Sequence, residues 1–267
     1  MTMAAHDKPE GVALVTGASS GIGRALALEL ARRGRAVVAT ARRLDLLHSL
    51  SAEAEALTGA IRAAAADVTD AAAMRALFPA VEAAHGPIGL VVANAGIYLP
   101  VSADRPDPDA YARTIAVNLQ GTVNTVLPAI EAMRARGVGR IAIVSSVAGY
   151  SGLPTSAAYG ATKAALINLA ESLKFDLDPI GIRVQLVSPG FVETEATDRN
   201  AFPMPFIVPA ATAARRIADG LERDAFEITF PRRFTWWLKF GRMLPYSVYF
   251  PLVRRLTGAS AGPSRTP

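Results

Sequence analysis

Tyr159 and Lys163 stand four residues apart in Tyr159-Gly160-Ala161-Thr162-Lys163. On a helix that spacing puts both side chains on one face. A free phenol titrates at about 10 and is a poor base at neutral pH, while a nearby ammonium favours its ionised form. Bringing it to about 7 takes roughly 4 kcal/mol of differential stabilisation. One partly buried cation supplies part of that, and a second positive group must supply the rest. Ser146 closes Ser145-Ser146, 13 residues before Tyr159. Its hydroxyl can hold a substrate oxygen beside the phenol, or hydrogen-bond locally at a strand end. Asn118 falls in Val117-Asn118-Leu119, inside a long helical pattern. Asn is a poor mid-helix residue, so a compensating role is expected: a bend, and a water held there to relay protons from Lys163.

A second group of residues has the chemistry of a nucleotide cradle. Thr16-Gly17-Ala18-Ser19-Ser20-Gly21-Ile22-Gly23 joins a short apolar run to a helical pattern. Gly17 permits the tight turn, Gly21 lets the backbone approach a pyrophosphate, and Gly23 lets helix pack on strand. The helix start offers free N–H groups and a positive dipole end, so Ser19, Ser20 and Ile22 belong to the phosphate-binding stretch. The second apolar run ends in Ala41, where a reader of NAD ribose hydroxyls carries an acidic residue, and continues into Arg42-Arg43. A carboxylate repels a 2′-phosphate and a guanidinium forks onto one. The expected cofactor is therefore NADP(H) rather than NAD(H). Asp67-Val68 follows the third run; Asp67 can accept from an adenine amino group or cap the helix beginning near Asp70. Asn94-Ala95-Gly96 follows the fourth, where small residues let ribose and sheet approach. In Ser188-Pro189-Gly190-Phe191-Val192-Glu193-Thr194, Pro189 and Gly190 turn the chain. Val192 can offer its backbone to a carboxamide, and Thr194 its hydroxyl to the carboxamide or a phosphate. An oxidised nicotinamide held there is the second positive group that Tyr159 requires.

These residues follow strands, which the pattern distributes along the chain. Strands are expected at Gly11–Thr16, Arg35–Ala41, Ile61–Asp67, Ile88–Ala93, Arg140–Ser146, Ile182–Ser188 and Ala225–Phe230. The third is weak because alanine has no strand preference. Helices are expected at Gly21–Gly34, Asp45–Leu57, Asp70–His85, Asp109–Ala135 and Ser156–Leu177. Near-continuous apolar strands alternating with helices predict an α/β fold: one Rossmann-type, doubly wound parallel sheet of about seven strands. Ligands of such sheets bind at the carboxyl ends of the strands.

The 28 basic and 23 acidic residues give a net charge of +5, unevenly placed. From Arg232 to Pro267 there are seven basic residues and no acidic one, with seven of the 18 aromatic residues. The other 231 residues have a net charge of −2. Positive charge confined to one apolar stretch does not support nucleic-acid binding. With 51% hydrophobic residues and no cysteine, disorder, disulfides, zinc–thiolate sites and cysteine nucleophiles are excluded. No metal site is expected. Three parts result: a flexible start over residues 1–10, a cofactor and catalytic domain over 11–231, and a basic aromatic extension over 232–267. The start has no apolar signal core, so a cytoplasmic body is expected. In the extension, Trp236, Trp237, Phe240, Met243 and Leu244 fall on one helical face; Tyr246, Tyr249, Phe250 and Val253 repeat the pattern after Pro245. Basic flanks suit an interfacial position at the inner face of a membrane, through residues 234–255; packing on the body or on another subunit is the competing reading. The segment Phe202-Pro203-Met204-Pro205-Phe206-Ile207-Val208-Pro209 is apolar and Pro-rich.

In their order, Thr16–Gly23, Asn94-Ala95-Gly96, Asn118, Ser146, Tyr159-x-x-x-Lys163 and Pro189-Gly190 resemble the short-chain dehydrogenase/reductase family over about residues 11–230. The resemblance implies hydride transfer between a nicotinamide and a small-molecule carbonyl or alcohol. It implies Tyr159 as general acid/base and Lys163 as the group that lowers its pKa and binds the ribose hydroxyls. It implies that Ser146 polarises the carbonyl and that Asn118 supports the proton relay. A homodimer or homotetramer on the two long helices is also implied, as is a mobile lid over the substrate at Glu195–Pro209, whose apolar residues suggest an apolar substrate. An epimerase or dehydratase on the same domain, and a non-catalytic NADP(H)-binding scaffold docked by its tail, are the competing functions; the complete tetrad favours simple oxidoreduction.

Overall fold

The five central strands of the sheet send successive side chains into two different cores. Val15, Ala39, Val92, Val144 and Val187 join one cluster, while Leu14, Val38, Val91, Ile143 and Leu186 join the other. Both faces are thus dry, which is why the strand sequences read as continuous apolar runs. The computed structural model describes residues 11–195, 197, 204 and 206–257. In chain order the strands are β1 (Val12–Thr16), β2 (Val37–Ala41), β3 (Ile61–Ala65), β4 (Ile88–Ala93), β5 (Gly139–Val144), β6 (Ile182–Pro189), the short β7 (Val192–Glu193) and β8 (Val208–Pro209), and β9 (Glu227–Phe230). The helices are α1 (Gly21–Arg32), α2 (Leu44–Glu53), α3 (Ala71–His85), α4 (Pro108–Ile115), α5 (Gly121–Arg134), α6 (Ala157–Leu177), α7 (Ala210–Leu221), α8 (Arg232–Arg242) and α9 (Tyr246–Thr257).

The main sheet has seven parallel strands in the order β3-β2-β1-β4-β5-β6-β9. Helices α1, α2 and α7 cover one face, and α3, α5 and α6 the other. The chain winds outward from β1 to β3, then returns to add β4 on the other side of β1. The carboxyl ends of β1 and β4 therefore diverge into the crevice where a doubly wound sheet takes its ligand. The alanine-rich β3 is an edge strand held in register by β2 alone.

Two expectations about the elements need correction. The long helix over 109–135 is interrupted: α4 passes through a π-helical turn, Ala116–Gln120, before α5 begins. Asn118 lies in that turn, so its poor helix propensity coincides with a real change of winding. Helix α7 was not expected, although its buried Ala213, Ala214, Ile217 and Ala218, which pack into the core beside α1, repeat at helical spacing. Of the expected lid over Glu195–Pro209, residues 196, 198–203 and 205, including Phe202, Pro203 and Pro205, lie outside the described residues. Its two ends are strapped by the parallel pair β7–β8.

Candidate active site

The strand ends surround a cleft of about 480 Å³. Its floor begins at the loop after β1. Gly17 and Gly21 adopt φ of +67° and +56°, the left-handed region open to glycine. A Cβ on Gly17 would stand 2.8 Å from Ala95 Cα, and one on Gly23 2.4 Å from the Gly17 carbonyl oxygen. Gly23 is accordingly buried beneath the loop and does not line the cleft, while Gly17, Ser19, Ser20, Gly21 and Ile22 do. Ser20 starts α1 without a side-chain cap, leaving the helix N–H groups to the cleft.

Thr16 pins this loop to the next strand end. Its hydroxyl accepts from the N–H groups of Asn94 and Ala95 at 3.1 and 3.2 Å. The Asn94 amide in turn donates to the Thr16 carbonyl at 2.9 Å. Asn94 thus shapes the cradle through its side chain, while Ala95 and Gly96 line it. Arg42 and Arg43 stand exposed at the end of β2, and Arg43 donates to the Ser19 hydroxyl at 3.2 Å. Asp67 and Val68 line the same end. Of the two readings of Asp67, capping of α3 is excluded: Asp70 takes the N–H groups of Ala72 and Ala73. Asp67 instead accepts from the Thr69 N–H and hydroxyl, at 2.9 and 2.8 Å. The Thr69 N–H bond leads the causes that hold its carboxyl below the ordinary value; the Arg42 charge adds to it.

Tyr159, Lys163 and Ser146 meet at the other end of the cleft, beside Pro189, Gly190, Val192 and Thr194. Helix α6 delivers Tyr159 and Lys163 from one face, with the ammonium 5.5 Å from the phenol ring centre. Lys163 is buried and donates to the Val144 carbonyl at 2.9 Å. The Ser145 hydroxyl donates to the Lys163 carbonyl at 2.7 Å, tying β5 to α6. Tyr159 is half-buried along the cleft wall, yet its hydroxyl is closely surrounded. Burial pushes its pKa up to about 12, against the lowering effect of the Ser146 hydroxyl. Burial also pushes Lys163 down to about 8. In this geometry the Ser146 hydroxyl, and not the expected Lys163 ammonium, is what lowers the phenol, and burial outweighs it: the low-dielectric surroundings penalise both charged forms. At neutral pH Tyr159 holds its proton.

Ser146 also makes the local bond weighed for it, accepting from the Ala148 N–H at 3.1 Å. That bond leaves its own proton free to donate. Asn118 does not line the cleft. It is buried, with its side chain accepting from the Ile97 N–H at 2.7 Å and donating to the Ile97 carbonyl at 2.9 Å. It also donates to the Thr162 hydroxyl at 3.3 Å, and its carbonyl accepts from Thr122. Asn118 thus positions the loop after β4 against α6.

One residue escaped the sequence reading. Tyr98 packs edge-on against Tyr159, ring centres 5.0 Å apart, and its buried hydroxyl has no hydrogen-bond partner. The only signal was an aromatic just after Asn94-Ala95-Gly96.

The donor set fits a dinucleotide. A glycine cradle opens onto a helix N-terminus, two arginines stand at one end, and a buried lysine with donors beyond its Val144 bond stands at the other. Comparison with known proteins agrees. A family described as short chain dehydrogenase matches residues 11–202. An "Uncharacterized oxidoreductase" of Myxococcus xanthus is 40% identical over 244 residues, 91% of this chain and 96% of its own. A 3-oxoacyl-(acyl-carrier-protein) reductase of Thermotoga maritima is 36% identical over 188 residues, 70% of this chain and 76% of its own. Among solved structures, a short-chain dehydrogenase/reductase from Burkholderia phymatum in complex with NAD shares the fold, with a TM-score of 0.80 at 24% identity over 88% of this chain and 94% of that one. An alcohol dehydrogenase from Thermococcus sibiricus, complexed with 5-hydroxy-NADP, gives 0.75 at 25% identity over 82% of this chain and 95% of that one. The chain belongs to the short-chain dehydrogenase/reductase family, a family of oxidoreductases.

Proposed function

We propose that the chain is an NADP(H)-dependent oxidoreductase moving a hydride between the nicotinamide and a carbonyl or secondary alcohol of an apolar substrate. The observation that carries this reading is the Tyr159–Lys163 pair standing in the same cleft as the glycine cradle. When bound, the cofactor supplies the hydride and, once oxidised, a positive ring. The protein's own part is to hold and move a proton. Tyr159, with its pKa pushed up to about 12, carries its proton at neutral pH and gives it to the forming alkoxide. Ser146 donates its free proton to the same oxygen. Lys163 has donors beyond its Val144 bond for the ribose hydroxyls, and its charge stabilises the phenolate left behind.

Arg42 and Arg43 support NADP(H) over NAD(H), since two exposed guanidinium groups at the end of β2 suit a 2′-phosphate. Val192 and Thr194 line the nicotinamide end and are assigned to the carboxamide. Exposed Leu127 on α5 and Phe175 on α6 support a homodimer or homotetramer on the long helices; sedimentation as a monomer rules that out.

The test is an NADPH-oxidation screen over ketones, aldehydes and ketoacyl thioesters, beside NADP+-dependent alcohol oxidation. Turnover with NADPH above NADH is expected. Cofactor binding without turnover anywhere in the panel contradicts the proposal.

A further inference from the structure

The extension after β9 has two faces. Its inner face grips the rim of the cleft. Phe234 packs at 5.9 Å from both Phe191 and Phe206, ring centre to ring centre. Lys239 pairs with Glu227, which accepts from the Tyr150 hydroxyl at 2.5 Å. The buried Tyr249 donates to the Gly152 carbonyl at 2.7 Å. Its outer face is open. Trp236, Trp237 and Tyr246 are 71%, 73% and 77% exposed, and Phe240, Met243, Phe250 and Leu256 stand out with them.

We propose that this outer face of α8 and α9 is a docking surface for an anionic lipid bilayer. Charge selects the occupant. Arg232, Arg233, Arg242, Arg254 and Arg255 are exposed and make no ion pair among the described residues. No acidic residue occurs between Arg232 and Pro267. A second copy meeting this face across a two-fold axis would bring the same arginines against themselves, so the partner must supply the negative charge. Phosphodiester chains supply charge but leave Met243, Val248, Leu252 and Leu256 in water. A bilayer interface takes both: headgroup phosphates meet the arginines, and Trp and Tyr rings lie at headgroup level above the acyl chains. The helices are 11 and 12 residues long, and no helix among the described residues is long and apolar enough to cross a membrane. The chain lies on the surface. Docking then holds the rim contacts at the bilayer, where an apolar substrate dissolves; this consequence rests on the proposed oxidoreductase activity, and the docking itself does not.

The experiment is density-gradient flotation of the full chain with vesicles of phosphatidylcholine alone, or mixed with an equal part of phosphatidylglycerol. Flotation is expected with the mixed vesicles at low salt and not with phosphatidylcholine alone. Arg254→Glu with Arg255→Glu, and separately Trp236→Ser with Trp237→Ser, should each lower the bound fraction about tenfold or more, with thermal melting unchanged. Absence of the intact protein from the floated fraction overturns the proposal, as does undiminished flotation of both variants. Self-association abolished by the tryptophan changes, without flotation, also overturns it and identifies the face as a contact between copies.

Discussion

At the cleft floor, Lys163 lies buried with its ammonium 5.5 Å from the Tyr159 ring; on the extension, Trp236 and Trp237 stand in solvent among arginines with no ion pair among the described residues. Both regions combine aromatic rings with cations. Burial separates their uses. In the cleft, desolvation lifts the phenol and lowers the ammonium, so the pair's proton positions become chemistry. On the extension, water screens the same kinds of groups, leaving apolar area and net charge as adhesive. An aromatic–cation motif in a sequence therefore says little until its solvent exposure is known.

The first way to break the comparison is to remove the buried cation. Lys163→Met should lower kcat/KM for carbonyl reduction by about 10³-fold, because the developing phenolate loses its charge partner. The same change should stabilise the fold by on the order of 2 kcal/mol at neutral pH. The folded-state pKa of Lys163 is depressed from 10.5 to about 8, so burial of the charged form is unfavourable below about 8. That exceeds the lost Val144 hydrogen bond. Urea unfolding of both proteins checks it; a less stable variant contradicts the burial argument.

Arg42→Ala sharpens the contrast within the cleft, since Arg42 is exposed where Lys163 is not. NADPH affinity should fall roughly 10- to 100-fold and NADH affinity by less than about twofold. Equal losses by fluorescence titration remove the phosphate assignment.

The pH profile is the third. Above about 8 Lys163 loses its proton, while Tyr159 keeps its own to about 12. kcat/KM for reduction should therefore be level below about 8 and fall about tenfold per unit above it. A rise through that range contradicts the assigned roles. For stability the sign is opposite. The unfolded chain holds the Lys163 proton up to 10.5 and the folded one only to about 8, so this residue's contribution improves as pH rises through that window.

The smallest effect belongs to the extension. Trp236→Ser with Trp237→Ser should leave turnover of a water-soluble carbonyl within about twofold, because these rings face solvent. A large loss would place them in the cleft's support.

Much of this was legible because both sheet faces are buried: strands covered on two sides read as unbroken apolar runs, and the turns that follow them carry the glycines, arginines and Tyr–Lys pair. Helix α7 was equally legible and was missed: its buried Ala213, Ala214, Ile217, Ala218 and Leu221 repeat at helical spacing, with Arg215, Arg216 and Asp219 between them. The extension's period was visible but its direction was not. Trp236, Trp237 and Phe240 turn outward, while Thr235 is buried and Leu238 packs inward; the second stripe splits, with Tyr249 buried and Tyr246 and Phe250 exposed. Periodicity reports that a helix has two faces, and only tertiary contacts such as Tyr249 with Gly152 decide which is inside. Asn118 and Asn94 were identifiable as unusual, but their bonds to Ile97 and Thr16 depend on partners 21 and 78 residues away.

The most direct test of the proposed proton transfer is single-turnover NADPH oxidation by Tyr159→Phe in stopped flow, beside an NADPH titration. Hydride transfer to any accepted carbonyl should slow by at least about 10²-fold, with NADPH affinity within about threefold of the unchanged protein, because the glycine cradle and arginines are intact. Undiminished hydride transfer in the Phe variant would contradict the assignment of Tyr159 as the proton donor.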